Sequence, residues 1–381
     1  MTEIYMDHAA STPVRPEVAA LMTANMLEHP ANPSSVHRAG QRARRALEAA
    51  REQAARALGT MPRQIIFNSG ATEGINQALL GLASRSAFRR LLVSPLEHKA
   101  VVSVSEELRR QGFAVEFLKL IGGAVTGESL KAAELQPGDV VAVMQVNNET
   151  GALADIRHLA HVAHRKGALL FCDATQAFGV EEVNVVDLDA DALVLSGHKF
   201  GGPRGAGILW LRDGLDLPPL LHGGSQELGY RAGTSNLPAV AGLGLAMELA
   251  IAERAELAGR LARLQSAFEE KAAALPGVTI IASDQPRSVK HSSVSVADVD
   301  GEALLMALDS HGVQVSVGSA CSAGSLEASH VLLAMGLDER RAKATLRFSF
   351  GRGTTAAEVN EAVERLASAI SQCRSFGALA G

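Results

Sequence analysis

Four short segments of the chain carry side chains that could do chemistry together. Ser196-Gly197-His198-Lys199 follows the apolar run 191–195. A lysine beside a glycine turn is ordinarily a surface residue. The alternative is an amine whose proton affinity is lowered by its site, so that it can form a Schiff base with a carbonyl. Phe67-Asn68-Ser69-Gly70-Ala71-Thr72-Glu73-Gly74 runs from a strand into a helix. Gly70 allows close backbone approach, and Ala71 and Thr72 stand where free helix N–H groups point outward, so the turn suits a phosphate or simply turns. Cys172-Asp173-Ala174-Thr175-Gln176 puts an aspartate at the end of an apolar strand. There it caps a helix, or holds a proton on a heteroaromatic nitrogen. Glu97-His98-Lys99 follows another strand, and a lone histidine is more often structural than catalytic.

The elements around these segments decide whether they can meet. Apolar runs at 64–68, 90–94, 114–118, 140–145, 168–172, 192–196 and 207–211 read as strands, several buried on both faces. Helical stretches at 41–58, 101–111 and 156–166 lie between them, the last stopped by Gly167. Strand–helix alternation predicts an α/β fold with a mostly parallel seven-stranded sheet. The stretch 240–275, closed by Pro276-Gly277, reads as one helix of about 50 Å, long enough to leave one domain and enter another. Beyond it, strand-like runs at 289–296, 314–317 and 344–350, with helices at 301–310 and at the C-terminus, predict a smaller α+β domain. The expected division is 14–250 for the large domain, and 1–13 with 251–381 for the small one.

In open α/β sheets ligands bind at the C-terminal strand edge. A phosphate turn, Asp173, His98 and Lys199 gathered there describe a pyridoxal-phosphate enzyme. The phosphate would sit on the 70–72 turn, within reach of Ser196 and His198. Asp173 would pair with the ring nitrogen, and Lys199 would form the Schiff base.

Composition agrees with a globular enzyme and excludes other classes. Of 381 residues, 47% are hydrophobic and 20% charged, which excludes a disordered or fibrous chain. Thirty-six Lys and Arg against 41 Asp and Glu leave a net charge of −5, so no global electrostatic drive toward nucleic acid or anionic membrane exists. No run of about 18 apolar residues predicts a membrane span, and the N-terminus lacks a signal-peptide pattern. Three cysteines, with no CxxC, exclude a disulfide framework and a cysteine-rich zinc site. No metal site and a cytoplasmic location are expected.

Taken together, the motifs are recognisable. They are Met6-Asp7-His8-Ala9-Ala10-Ser11-Thr12-Pro13, Asn32-Pro33-Ser34-Ser35 with His37, Ser69-Gly70-Ala71-Thr72-Glu73, Glu97-His98-Lys99 and Asn147-Asn148-Glu149-Thr150-Gly151. Further along come Asp173-Ala174-Thr175-Gln176, Ser196-Gly197-His198-Lys199, Arg231-Ala232-Gly233-Thr234, Gly318-Ser319-Ala320-Cys321 and Arg347-Phe348-Ser349. In this order they span nearly the whole length, and the chain resembles the cysteine desulfurases of the NifS/IscS type, class V aminotransferases of pyridoxal-phosphate fold type I.

The resemblance implies roles. His98 would stack on the cofactor ring and move protons, and Gln176 would bond the ring's phenolic oxygen. Thr72, Ser196 and His198 would hold the phosphate. Thr234 would reach the phosphate of a second subunit, implying a homodimer. Asn148, beside the cofactor, and Arg347 would grip the substrate carboxylate, for which a guanidinium fork is well shaped. Cys321, in a small polar loop, would be the nucleophile that takes sulfur from L-cysteine as a persulfide, leaving L-alanine. The sulfur would then pass to a protein acceptor such as an iron–sulfur scaffold or sulfur carrier. Cys172 reads as a buried hydrophobe and Cys373 as incidental. Val317 and Gly353 stand where the family often has a serine and an aromatic residue. A selenocysteine lyase, or another class V aminotransferase, is the alternative reading.

Overall fold

The structure is a computed structural model that describes residues 3–317 and 327–379. Cys321 lies outside the described residues.

Seven strands form the main sheet. From one edge to the other they are Ile65–Asn68, Gly207–Leu211, Ala192–Ser196, Leu169–Asp173, Asp139–Met144, Arg90–Val93 and Val115–Phe117. Gly207–Leu211 runs antiparallel to both neighbours, and the other pairings are parallel. The apolar runs are continuous because both faces are covered. Leu92, Val141, Val143, Leu170, Leu193 and Ile208 enter one hydrophobic cluster, and Leu91, Val93, Val140, Phe171, Ala192 and Leu209 the other.

A second sheet has the order Ser316–Val317, Thr345–Ser349, His291–Val296, Val278–Ile280, antiparallel throughout. Its core contains Leu261, Phe268, Val294, Leu346, Phe348 and Val363. Ile4 and Met6 join that core, and Ile4–Tyr5 pairs with Val313–Gln314. The N-terminal segment thus packs beside the second sheet, a choice that periodicity leaves open.

The long helix is Leu237–Ala273, 37 residues or about 55 Å. Asn236 caps it, accepting from Ala239 N. Residues 237–250 contribute to the first core and 261–272 to the second. Other boundaries differ from expectation by a few residues. The helix expected at 41–58 starts at Arg38, because His37 accepts from Gly40 N and so caps it earlier. The strand expected at 168–172 includes Asp173, which aligns with Met144 and Val194. The run 314–317 divides in two, Val313–Gln314 and Ser316–Val317, each with a different partner strand. The helix Pro16–Glu28 falls outside the elements read from periodicity; only Val18 and Asn25 on it are buried, so its apolar stripe is weak. No described helix is long and apolar enough to cross a membrane.

Candidate active site

Because most strands of the main sheet are parallel, the loops after them leave from one edge. Around that edge lies a cavity of about 530 Å³ whose walls include Gly70, Ala71, Thr72, His98, Asn148, Asp173, Gln176, Ser196, His198 and Lys199. Ten of the residues singled out from sequence therefore converge on one space.

The phosphate turn is built as its composition suggests. Asn68 Oδ1 accepts from Gly70 N at 3.0 Å, and the helix Ala71–Ala83 begins with no side-chain cap. Its N-terminal end faces the cavity as a ready anion site. Gly70 has φ +148°, and a Cβ there would meet Ser196 Oγ at 3.4 Å. Glycine thus lets the turn sit against the end of the strand that carries Ser196.

Lys199 follows that strand on a tight turn, Gly197–Lys199. Its Nζ donates to Ala9 O at 2.7 Å and Ala10 O at 2.9 Å. Burial first, and then the Arg347 charge, lower its pKa from the usual lysine value to about 8. His198 is lowered to about 4 by burial and by the nearby Lys199, Lys290 and Arg204 charges. It is therefore a neutral hydrogen-bonding group at physiological pH.

His98 caps the helix Lys99–Arg110, its Nδ1 accepting from Ala100 N at 3.1 Å. The neutral ring therefore carries its proton on Nε2. Burial lowers its pKa, while Asp173 opposes the shift. Asp173 Oδ1 accepts from Thr175 N at 2.9 Å. Gln176 Nε2 donates to Ala9 O at 2.8 Å, which leaves Gln176 Oε1 without a partner. Asn148 Oδ1 and Thr175 Oγ1 are likewise unpartnered. The turn bearing Asn148 is folded by Asn147, whose Oδ1 accepts from Glu149 N, Thr150 N and Thr150 Oγ1. Three unpaired polar atoms on one wall, an uncapped helix and a desolvated amine suit a planar ring bearing a phosphate and an aldehyde.

The sequence matches the class V aminotransferases over residues 4–362. The chain belongs to the class V aminotransferase family. Among curated class V relatives, "Cysteine desulfurase IscS" of Methanosarcina thermophila is 37% identical over 379 residues, covering 99% of this chain and 94% of that protein. "Cysteine desulfurase IscS" of Dictyoglomus turgidum is 38% identical, covering 98% and 96%. The solved structure of a "NifS-like protein" superposes with a TM-score of 0.91 at 32% identity, covering 97% of this chain and all of that one. A structure described as "SspA in complex with cysteine" gives 0.80 at 34% identity, covering 91% and 98%. The fold is that of a type I pyridoxal-phosphate enzyme.

Two residues singled out by the class V resemblance stand apart from the main cavity. Thr234 lines an adjoining cavity of about 250 Å³, which shares Ser69 and Gly205 with it. Arg347 is buried on the strand Thr345–Ser349, donating to Asn148 O at 2.7 Å and Asp7 Oδ1 at 2.8 Å. Cys321 falls outside the described residues. Cys172 is fully buried, and burial followed by Asp173 and Glu97 pushes its thiol well above the usual range. Cys373 is half-buried on the C-terminal helix, its thiol raised by burial and Asp300. Neither is poised as a thiolate. Among the described residues, no group of three or more His, Cys, Asp or Glu is arranged to hold a metal.

Sequence reasoning gave no role to several wall residues, though Ser11 and Thr175 stand in its motifs. Thr175, Ser11 and Arg204 line the cavity, and Ala9 and Ala10 touch the lysine only through backbone carbonyls. Backbone acceptors leave no signal in residue type. Asp7-His8-Ala9-Ala10 is visible as a motif, but nothing local shows that it closes the site.

Proposed function

We propose that this class V enzyme is a pyridoxal-phosphate-dependent cysteine desulfurase, which converts L-cysteine to L-alanine and collects the sulfur as a persulfide on Cys321. The observation that carries the chemistry is Lys199, a desolvated amine with a pKa near 8 at the sheet edge, facing Asp173, His98 and an uncapped helix. Relatives named cysteine desulfurase over nearly the full chain supply the reaction class.

Bound pyridoxal phosphate would supply an electron sink for carbanions formed at the substrate. The chain's own groups do the rest. The 70–72 turn, Ser196 and His198 would hold the phosphate. Asp173 would keep a proton on the ring nitrogen, and Gln176 Oε1 would accept from the ring's phenolic hydroxyl. Lys199 would anchor the cofactor through its amine and would serve as a base within the cavity. His98, its Nδ1 held by Ala100 N and its proton on Nε2, would donate from Nε2 beside the ring. Asn148 and Arg347 orient the substrate carboxylate. The Cys321 thiolate attacks the substrate sulfur; a sulfur–sulfur bond forms, the carbon–sulfur bond breaks, and the β-carbon takes up a proton to become the methyl of alanine.

Residues 14–250 form the cofactor domain, and 1–13 with 251–381 form the domain that carries Cys321. The working unit is a homodimer in which Thr234 reaches the second subunit's phosphate. The sulfur acceptor is a protein of iron–sulfur assembly or a sulfur carrier, and the enzyme acts in the cytoplasm on a small amino acid, without nucleic acid or membrane. The test is to incubate the loaded enzyme with L-cysteine and measure alanine and protein-bound sulfane sulfur. Cys321→Ala should keep the cofactor's absorbance and abolish both products; unchanged alanine release would overturn the assignment of Cys321.

A further inference from the structure

Arg347 is only 5% exposed, yet each of its nitrogens has a different fate. Nη1 is taken by the Asn148 carbonyl at 2.7 Å, Nη2 by Asp7 Oδ1 at 2.8 Å, and Nε has no partner among the described residues. Asp7 comes from the far end of the chain, 340 positions away. It is placed by a backbone bridge to Ser349 and by Ser349 N donating to Met6 O at 2.7 Å. The Asn148 side chain lines the cavity, its Oδ1 also unpartnered. The Asp7–Arg347–Asn148 chain thus ties the N-terminal segment to the wall of the cavity.

We propose that Asp7 is a positioning residue for substrate: it orients the Arg347 guanidinium and, through it, the Asn148 turn, so that the free Arg347 Nε–H and the Asn148 Nδ2 amide donate to the substrate carboxylate. This rests on the desulfurase reading above. A guanidinium swings about several side-chain torsions, and a charge-assisted bond at one Nη fixes the plane of the fork. Asp7 also offsets part of the Arg347 charge, so a carboxylate binds by geometry as well as by attraction. Asp7 faces no other described cation within ion-pair distance.

A double-mutant cycle tests this, read as KM for L-cysteine and as the Kd of the product L-alanine by absorbance titration of the loaded enzyme. Asp7→Ala should raise both by about tenfold, the loss expected for one hydrogen bond to a charged group, with cofactor absorbance retained. Asp7→Asn keeps an acceptor oxygen and should restore most of the affinity. In an Arg347→Ala background either Asp7 change should have little further effect on alanine Kd. Equal effects in both backgrounds, or unchanged KM and Kd in Asp7→Ala, would overturn the proposal. If Asp7→Ala does not fold, Asp7→Ser, whose short side chain cannot reach the guanidinium, takes its place in the cycle and is judged by the same criterion. Failure of the wild-type enzyme to make alanine from cysteine would instead refute the desulfurase reading and leave the Asp7–Arg347 coupling to be judged by ligand binding.

Discussion

Lys199 Nζ lies 2.7 Å from the carbonyl oxygen of Ala9, a residue 190 positions earlier in the chain. Ala10 O accepts from the same nitrogen at 2.9 Å. A neutral amine has two N–H hydrogens and one lone pair. Both hydrogens are occupied by these carbonyls, so the lone pair is left for a carbonyl electrophile. Burial, which lowers the pKa to about 8, makes that neutral form accessible.

Lys199→Ala should abolish the lysine-dependent absorbance of the bound cofactor. Alanine formation should fall by at least ~10²–10⁴-fold, the usual contribution of a positioned proton-transfer group. A visible spectrum identical to wild type after reconstitution would exclude Lys199 as the anchor.

Gly70→Ala should weaken cofactor binding about tenfold, since the residue sits at φ +148° against Ser196. Titrating apoprotein with pyridoxal phosphate measures this. The thermal midpoint of the apoprotein should change far less than the cofactor affinity does.

Lys290 is 4% exposed, and its Nζ donates to the backbone carbonyl of Lys199 at 3.0 Å. Burial, then the Lys199 and Arg347 charges, lower it to about 7. The unfolded chain therefore holds this proton up to about 10.5, whereas the folded one releases it near 7. Between those values the unfolded state binds more protons, so the contribution of Lys290 to stability rises with pH and is lost as pH falls toward 7. Lys199 acts in the same sense above about 8. Urea unfolding of the apoprotein should show stability rising across pH 7–10, and Lys290→Met should flatten that slope. An unaltered slope in the variant would refute the assignment.

Arg51 and Glu227 form a buried pair, with bonds of 2.8 Å and 3.0 Å, and Glu227 Oε2 also accepts from Phe67 N at 2.9 Å. Arg51→Ala should destabilise by about 3–5 kcal/mol, because a buried carboxylate is left with only Phe67 N and a long 3.5 Å bond from Ser235 Oγ. Replacing both residues with apolar ones of similar volume should recover part of this loss. Equilibrium denaturation gives the comparison.

Much of the fold was legible because the strands of the main sheet are buried on both faces, which writes them as apolar runs such as Val140–Met144 and Leu169–Cys172. The candidate site was legible for a related reason. Parallel strands send their C-terminal loops to one edge, so Asp173, Ser196 and Lys199, read as strand-end residues, had to be neighbours. Elements with little one-sided pattern were not readable. The helix Pro16–Glu28 buries only two residues, and the break within 314–317 depends on two separate partner strands.

Residue types and their order determined the class of chemistry: an amine after a strand, an acid at a strand end and a glycine turn into a helix admit few other readings. Folding alone decided what tunes those groups. The carbonyls of Ala9 and Ala10 on Lys199, Asp7 on Arg347 and Lys290 on the Lys199 carbonyl are all contacts between segments 90 or more positions apart. Sequence records which groups exist, because chemistry is local to a side chain. Desolvation and hydrogen-bond partners depend on which distant segments close around it, and only the tertiary structure sets those.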